Sequence, residues 1–388
     1  MNKVKNVLRK NTMLIALVFV MLMFQILITG QNKGSLFAPT NITNLINQNG
    51  YVVILAVGML MCILTGGNID LSVGSVVALV GALAGTLIVN LKLNIYLSIL
   101  ICLIAGTLIG AWQAFWISYM NIPSFIVTLA GMLAFRGIAL TILNGLTISP
   151  FPEEYTRYFN SYIPGGAGAS LPVTVAIGAV ICVVLVAVQI VSRMNKKRKG
   201  YKLESVVLLA VRLVIVCAVV MVVFWLLGLD KGVPVILILL AIIVLIYSYY
   251  TSNTVPGRHL YAMGGNEKAA SLSGVNTKRT LFFAYTNMGF LSAVAALVCV
   301  ARFNSATPSA GNNYEMDAIA ACYIGGASAY GGTGTVPGAL IGAIFMGVLN
   351  NGMSILGVDA NWQRTVKGLV LLAAVIFDVV SKNRKQSV

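Results

Sequence analysis

The side chains able to do chemistry in this chain are few and scattered. His259 is the sole histidine, which leaves no Ser–His–Asp or Cys–His nucleophilic set and no histidine-based metal site. Cys62, Cys102, Cys182, Cys217, Cys299 and Cys322 lie in or beside apolar runs and form no CxxC pair, so they read as small buried hydrophobes. The stretch 323–342, YIGGASAYGGTGTVPGALIG, shares only its glycine content with a phosphate loop, because no GK[ST] occurs anywhere. The expectation is a chain with no catalytic residue, no metal and no cofactor of its own. Any ATP it uses must be bound by another polypeptide or another domain.

What remains is polar chemistry inside apolar surroundings. The stretch 65–75, TGGNIDLSVGS, interrupts two apolar runs, with Gly66 and Gly67 breaking the helix and Asp70 placed at or near membrane depth. A carboxylate there is expensive and usually faces a cavity or a partner. Non-helical backbone at that depth is tolerated only where protein or water surrounds it. Asp70, followed by Ser72, is equally suited to capping a helix that starts near Val73, and a cap can also fix the shape of a gate. Gln48 and Asn49, Gln113 between Trp112 and Trp116, Arg136, Asn287 and the pair Asn350 and Asn351 also sit inside apolar runs. Amides and aromatic faces suit sugar hydroxyls and ring C–H groups, but bonding between helices explains each of these residues as well. Asn68, Asp70, Ser72, Gln48, Gln113, Asn350 and Asn351 are the candidate translocation-path residues.

A second informative stretch is 256–280, PGRHLYAMGGNEKAASLSGVNTKRT. It holds a short helix: Asn266 is a good cap, EKAASLS is helix-compatible, and Gly274 ends it. Ala269, Ala270 and Leu272 give that helix a small apolar surface. Such a piece fits docking into a groove on another protein, a membrane-surface helix, or a solvated linker.

The elements that must position these residues are membrane spans. Of the 388 residues 59% are hydrophobic and only 9% charged, against roughly 25% charged in soluble domains, so one bundle takes nearly the whole chain. About 20 apolar residues cross a bilayer. The runs are 12–30, 45–65, 74–90, 95–118, 124–144, 171–192, 206–228, 233–251, 279–302, a short glycine-broken 316–330, 336–357 and 362–380. The first follows a basic start, and with no small-residue cleavage site after it, it reads as an uncleaved span. The expected fold class is an all-α integral membrane protein, a polytopic bundle of about ten to twelve transmembrane helices with broken or re-entrant segments. Glycines four apart (Gly81 and Gly85, Gly106 and Gly110, then Gly334, Gly338 and Gly342) mark close helix packing.

The net charge of +16 suggests nucleic acid until its distribution is considered. The basic residues cluster between spans: Lys3, Lys5, Arg9 and Lys10; Arg193, Lys196, Lys197, Arg198, Lys199 and Lys202; Arg258, Lys268, Lys278 and Arg279; Lys382, Arg384 and Lys385. This is the positive-inside pattern, and it argues against nucleic acid. It gives twelve passes with both ends cytoplasmic, provided that 316–330 crosses or nearly crosses. The 145–170 loop then lies outside.

Three long motifs, GGNIDLSVGSVVAL, GRHLYAMGGNEKAASLSGVN and YGGTGTVPGALIGAIFMGVLNNGMSILGV, resemble the permeases of the ribose, xylose, arabinose and galactoside class of ABC importers. The similarity runs in order along most of the chain. The extra basic loop and hairpin at 193–230, and the asparagine in TGGNIDLS, look like the longer xylose and multiple-monosaccharide subfamily. The resemblance implies a single permease domain over 1–388, a homodimeric pair in a bacterial cell membrane, and a separate ATPase with two fused nucleotide-binding halves that holds ATP and Mg. It also implies an extracytoplasmic sugar-binding protein. The cytoplasmic loop 252–278 becomes the ATPase-coupling segment, with Gly257, Arg258, Tyr261, Gly264, Gly265, Asn266, Glu267, Ala269, Ala270, Ser273 and Gly274 as its residues. Monosaccharides are the implied cargo, and the class shades into nucleoside and branched-chain amino-acid permeases. The rivals are a permease for another small polar solute, a channel or structural membrane subunit, and an ion-coupled secondary transporter. The last needs intramembrane carboxylates, for which Asp70, Glu315, Asp317 and Asp378 are the candidates.

Overall fold

The structure is a computed structural model that describes residues 12–164, 171–201 and 205–386. Lys3, Lys5, Arg9, Lys10, Lys202 and the GGAGAS run lie outside the described residues, as do the side chains of Lys382, Arg384 and Lys385. Among the described residues the fold is all-α apart from one two-residue strand pair and a lone bridge between Ile148 and Ala306. The helices are α1 (Thr12–Gly30), α2 (Pro39–Leu64), α3 (Val73–Gly85), α4 (Ile95–Ser118), α5 (Ser124–Leu143), α6 (Glu153–Asn160), α7 (Leu171–Arg198) and α8 (Val206–Gly228). They continue with α9 (Val235–Asn253), α10 (Val255–Gly265), α11 (Glu267–Leu272), α12 (Thr277–Phe303), α13 (Tyr314–Ile324), α14 (Val336–Ile355) and α15 (Ala360–Gln386). A π-helical turn over Thr86–Asn90 extends α3. Ten of these helices, among the described residues, are long and apolar enough to cross a membrane.

The core is built on α2, α3, α12 and α14, most of whose residues are buried. Apolar burial cannot hold such a bundle together in lipid, so close backbone contact must. Gly106 and Gly110 of α4 supply it, packing against Gly289 of α12. A Cβ on Gly110 would stand 2.6 Å from the Tyr285 carbonyl oxygen, so any larger residue forces the helices apart. Gly338 and Gly342 of α14 do the same against Gly325 and Ala321 at the end of α13. Gly334 departs from the expected packing series. It lies ahead of α14 with φ +144°, so it shapes a turn.

Strands β1 (Tyr162–Ile163) and β2 (Val233–Pro234) pair antiparallel and fix which chain ends lie together. From there α7 leaves and α8 returns beside it, with Gly178 against Phe224 and Gly228 against Leu171. Helix α9 then runs from β2 to α10. Arg193, Lys196, Lys197, Arg198 and Lys199 therefore share one end of the bundle with Arg258, Lys268, Lys278 and Arg279.

The short run at 316–330 resolves into a half-span. Helix α13 has 11 residues, about 16 Å of rise against a hydrocarbon core of about 30 Å. The other half of the crossing is residues 304–313, which form no helix. Ala306 exchanges backbone hydrogen bonds with Ile148 at one end, and Gly311 lies against Gly74 deep in the bundle. Irregular backbone survives there because protein supplies its partners. Arg136 of α5 donates to the carbonyls of Pro308, at 3.4 Å, and Ala310, at 2.5 Å. Residues 304–313 and α13 thus run through the bundle as one broken segment.

Candidate functional site

Four of the seven path candidates meet where α2 breaks. Helix α2 ends at Leu64, Gly66 and Gly67 take φ of +125° and +76°, and α3 starts at Val73. Asp70 Oδ1 accepts from the Ser72 backbone N–H at 2.8 Å and from the Ser72 hydroxyl at 2.7 Å. Gln113 of α4 donates to the same hydroxyl at 2.7 Å. Asn68 accepts from Ser124 of α5 at 3.0 Å, and Tyr285 of α12 donates to the Ile69 carbonyl at 3.0 Å. Three helices, α4, α5 and α12, therefore grip one non-helical turn. Asp70 does not cap α3 in the expected way: its bonds stop at Ser72, closing an Asx turn just ahead of the helix.

Burial decides what this network can do. Asp70 is 3% exposed, Gln113 1% and Ser72 fully buried, so within the single chain these three shape the break and touch no solvent. Asn68 is half-buried. The structure does not bring the other three candidates here. Asn351 exchanges reciprocal amide bonds of 2.9 Å with Asn41 at the start of α2. Its neighbour Asn350 is buried one residue before it on α14. The Gln48 backbone carbonyl accepts from the Arg302 guanidinium at 3.4 Å. Asn287 accepts from Tyr247 at 2.5 Å, a bond between helices.

The candidate coupling segment is two helices where the residues suggest one. Pro256 stands in the first turn of α10, where a missing N–H costs nothing, and Thr254 Oγ1 accepts from Gly257 N at 3.1 Å. Asn266 then separates the helices with extended backbone and caps α11, accepting from Ala269 N at 3.0 Å. Gly274, at φ +87°, follows the end of α11. Helix α10 faces the bundle. Tyr261 donates to the Gly334 carbonyl at 3.0 Å. Gly264 packs against the Leu64 carbonyl and Gly332, and Gly257 against the carbonyl of Tyr250.

Helix α11 projects. Arg258, Gly265, Glu267, Ala269 and Ser273 are exposed. The expected apolar surface needs correcting at one residue: Ala270 is turned into the fold at 5% exposure, while Leu272 stands out at 91%. The helix turns about 100° per residue, and two residues separate these side chains onto opposite faces.

Sequence reasoning missed Lys367. Its ammonium lies 2.9 Å from Asp317 Oδ1, and Tyr51 donates to Asp317 Oδ2 at 2.8 Å. This pair joins α15, α13 and α2 inside the bundle, and a lysine near the start of the 362–380 run is the signal that could have found it. Three of the carboxylates that ion coupling could use have partners: Asp70 with Ser72, Asp317 with Lys367, and Asp378 with the Ala329 N–H at 3.3 Å. No group of three His, Cys, Asp or Glu side chains able to hold a metal occurs among the described residues.

A polytopic bundle with broken spans gripped from several helices, and a small helix projecting from its basic end, has the build of a membrane permease. Residues 41–375 match the family described as "Branched-chain amino acid transport system / permease component", and the chain belongs to that family. It is 40% identical over 372 residues to the xylose transport system permease protein XylH of Escherichia coli (strain K12), covering 96% of this chain and 92% of that one. It is 36% identical over 387 residues to XylH of Haemophilus influenzae, covering 99% and 100%. To the ribose import permease protein RbsC of Escherichia coli (strain K12) it is 33% identical over 365 residues, covering 94% and 92%. No solved structure matches the chain.

Proposed function

We propose that this chain is the membrane-spanning permease subunit of an ATP-driven importer of monosaccharides, with xylose as the first sugar to test. The observation that carries this reading is likeness over nearly the full length to permeases named for xylose and ribose. ATP and Mg are held by a separate ATPase with two fused nucleotide-binding halves. Two copies of the chain form the path, and an extracytoplasmic binding protein delivers the sugar. The basic end faces the cytoplasm of a bacterial cell, with both termini on that side.

The mechanism follows from how α10 and α11 are seated. The ATPase receives α11 and the loop Gly257–Gly274, with Leu272 as the apolar anchor. A push on α11 passes through α10, because Tyr261 and Gly264 rest on the Gly332–Gly334 turn and the end of α2. The next residues along α2 are the break at 65–72, and beyond the turn lie α13 and α14. Movement of these elements as packed bodies opens the path alternately to each side. Asn68, Asp70, Ser72 and Gln113 set the shape of the gate. Engaged carboxylates and a projecting helix support this reading over an ion-coupled carrier.

The test is uptake of labelled xylose, ribose and leucine by cells that express the chain with its ATPase and binding protein. ATP-dependent uptake of a sugar, absent when the chain is deleted, is expected. Uptake of leucine alone, or uptake driven by an ion gradient without ATP, overturns the proposal.

A further inference from the structure

The non-helical half of the broken span carries a feature that none of the path candidates includes. Ala306 is committed to its ladder with Ile148 and is buried. On extended backbone its neighbours Ser305 and Thr307 turn to the opposite face. A turn closed by the Ala310 N–H on the Thr307 carbonyl, at 3.1 Å, then brings Ser309 back, its hydroxyl 3.4 Å from that of Thr307. Ser305, Thr307 and Ser309 all line one cavity of about 320 Å³, whose remaining wall comes from α3, α12, Ala310 and Tyr314, and the Ser305 hydroxyl also donates to the Phe303 carbonyl at 3.0 Å. Phe303, 51% exposed, closes one side with an aromatic surface.

We infer that this cavity is a transient binding site for an uncharged polyhydroxylated ligand on its way along the path, an inference that rests on the sugar-import reading above. Three observations support it. The size is at the low end for small-molecule sites, which suits one monosaccharide. Serine and threonine hydroxyls can both donate and accept: those of Thr307 and Ser309 rotate to suit a sugar hydroxyl, and Ser305, whose proton is held by the Phe303 carbonyl, offers its lone pairs. No side chain of the lining is charged among the described residues, so the amino and carboxylate groups of an amino acid would find no partner, and burying an unpaired charge is costly. The cavity thus selects for sugars over the amino acids that the family description names. The site is built for passage, because flexible neutral hydroxyls hold a ligand weakly. Its position on the broken span also ties it to movement: Gly311 touches the start of α3, and α13 follows directly.

The experiment uses cells expressing the complete transporter and measures initial uptake of labelled xylose and ribose, with chain abundance, co-purified ATPase and ATP hydrolysis as controls. Thr307→Trp fills the cavity. At normal abundance and ATP hydrolysis, xylose uptake is expected to fall at least tenfold. Should the indole prevent assembly, the triple variant Ser305→Ala, Thr307→Val, Ser309→Ala decides, since it adds no bulk. It is expected to lower uptake severalfold at low sugar and to change the xylose-to-ribose ratio, whereas a general folding defect lowers both alike. Unchanged uptake and an unchanged ratio in an assembled variant overturn this inference while leaving the importer reading intact. Wild-type cells that take up leucine and neither sugar overturn both.

Discussion

Gly264, at the end of α10, lies directly against the Leu64 carbonyl that ends α2, and the same carbonyl accepts from the Gly332 N–H at 3.1 Å. Three chain segments far apart in sequence thus share one backbone joint. A Cβ on Gly264 would stand 2.9 Å from the Gly332 Cα and closer still to the Leu64 oxygen. Backbone cannot swing aside as a side chain can. Gly264→Ala is expected to cost about 1–3 kcal/mol of local packing and to abolish ATP-dependent uptake. Gly137→Ala on α5, outside the coupling segment and with open space around the added methyl, should leave uptake near wild type. Equal uptake by the two variants would show that this joint carries no motion.

Leu272 and Ala270 separate docking from folding. Leu272 is almost wholly exposed, so Leu272→Ser should change the stability of the free chain by less than about 0.5 kcal/mol. If α11 enters a groove on the ATPase, the same change weakens the complex several-fold or more, each 1.4 kcal/mol being about tenfold. Ala270→Arg forces a guanidinium into a packed position and should lower chain abundance itself. Co-purified ATPase, normalised to permease, reads the difference. Undiminished ATPase binding by Leu272→Ser would remove this helix tip from the interface.

Asp70 tests whether a proton or a shape is needed. Its oxygen accepts from the Ser72 N–H and hydroxyl, and asparagine can accept both in the same place. Asp70→Asn should keep at least about half of wild-type uptake, while Asp70→Leu, which leaves buried donors of Ser72 without an acceptor at about 1–3 kcal/mol, should lose most of it. Loss in both variants alike, with imposed pH gradients driving uptake in wild type, would favour ion coupling.

Long apolar runs have few other uses, so the spans are legible: among the described residues ten of the twelve runs return, with shifted ends, as helices long and apolar enough to cross, while 316–330 is a short helix and α15, over 362–380, carries too many charges to count among the ten. Helix α2 starts at Pro39, because proline at the first turn begins a helix that polar Asn41, Asn44 and Asn47 disguise. Helix α10 is disguised by the same logic, since Pro256, Gly257, Gly264 and Gly265 read as breakers while contact with Leu64 and Gly332 demands small residues. The coupling segment's caps, Asn266 and Gly274, are local chemistry and can be read directly. The path is harder. Gln48, Asn350 and Asn351 share polarity with Asp70 but not its location, because polarity inside a span says nothing about which neighbour it meets. Ser305, Thr307 and Ser309 are invisible for the opposite reason: in a non-helical crossing there is no period to follow, and serines next to a span end look like an ordinary loop.

The basic residues give a topology test. Lys197 and Lys268 lie at one end of the bundle, and the 145–164 segment at the other. Single cysteines at these positions in a cysteine-free chain, exposed to an impermeant thiol reagent on intact cells, should react only in the second group. Labelling at position 197 from outside would invert the arrangement and remove the coupling segment from the ATPase.

Asp317 and Lys367 form the ion pair that seats the last helix. The half-span α13 is short, and α15 is its neighbour on the side where the Lys367 ammonium reaches Asp317 at 2.9 Å. Tyr51 of α2 donates to the same carboxylate, and its ring stacks on Tyr314 with centroids 3.8 Å apart. Removing one charge strands the other in a place where desolvation is expensive, a loss of about 3–5 kcal/mol for a buried pair. Removing both charges takes away the attraction and the desolvation cost together. Lys367→Met alone should therefore lower the melting temperature of the detergent-purified chain and reduce its abundance. Adding Asp317→Asn to it should recover much of the loss, since the amide oxygen still accepts from Tyr51. The readout is thermal stability of wild type, both single variants and the double variant, taken as a cycle so that the coupling between the residues is measured directly. Additive losses, with the double variant worse than either single one, would show that the two charges do not act as a pair in the membrane.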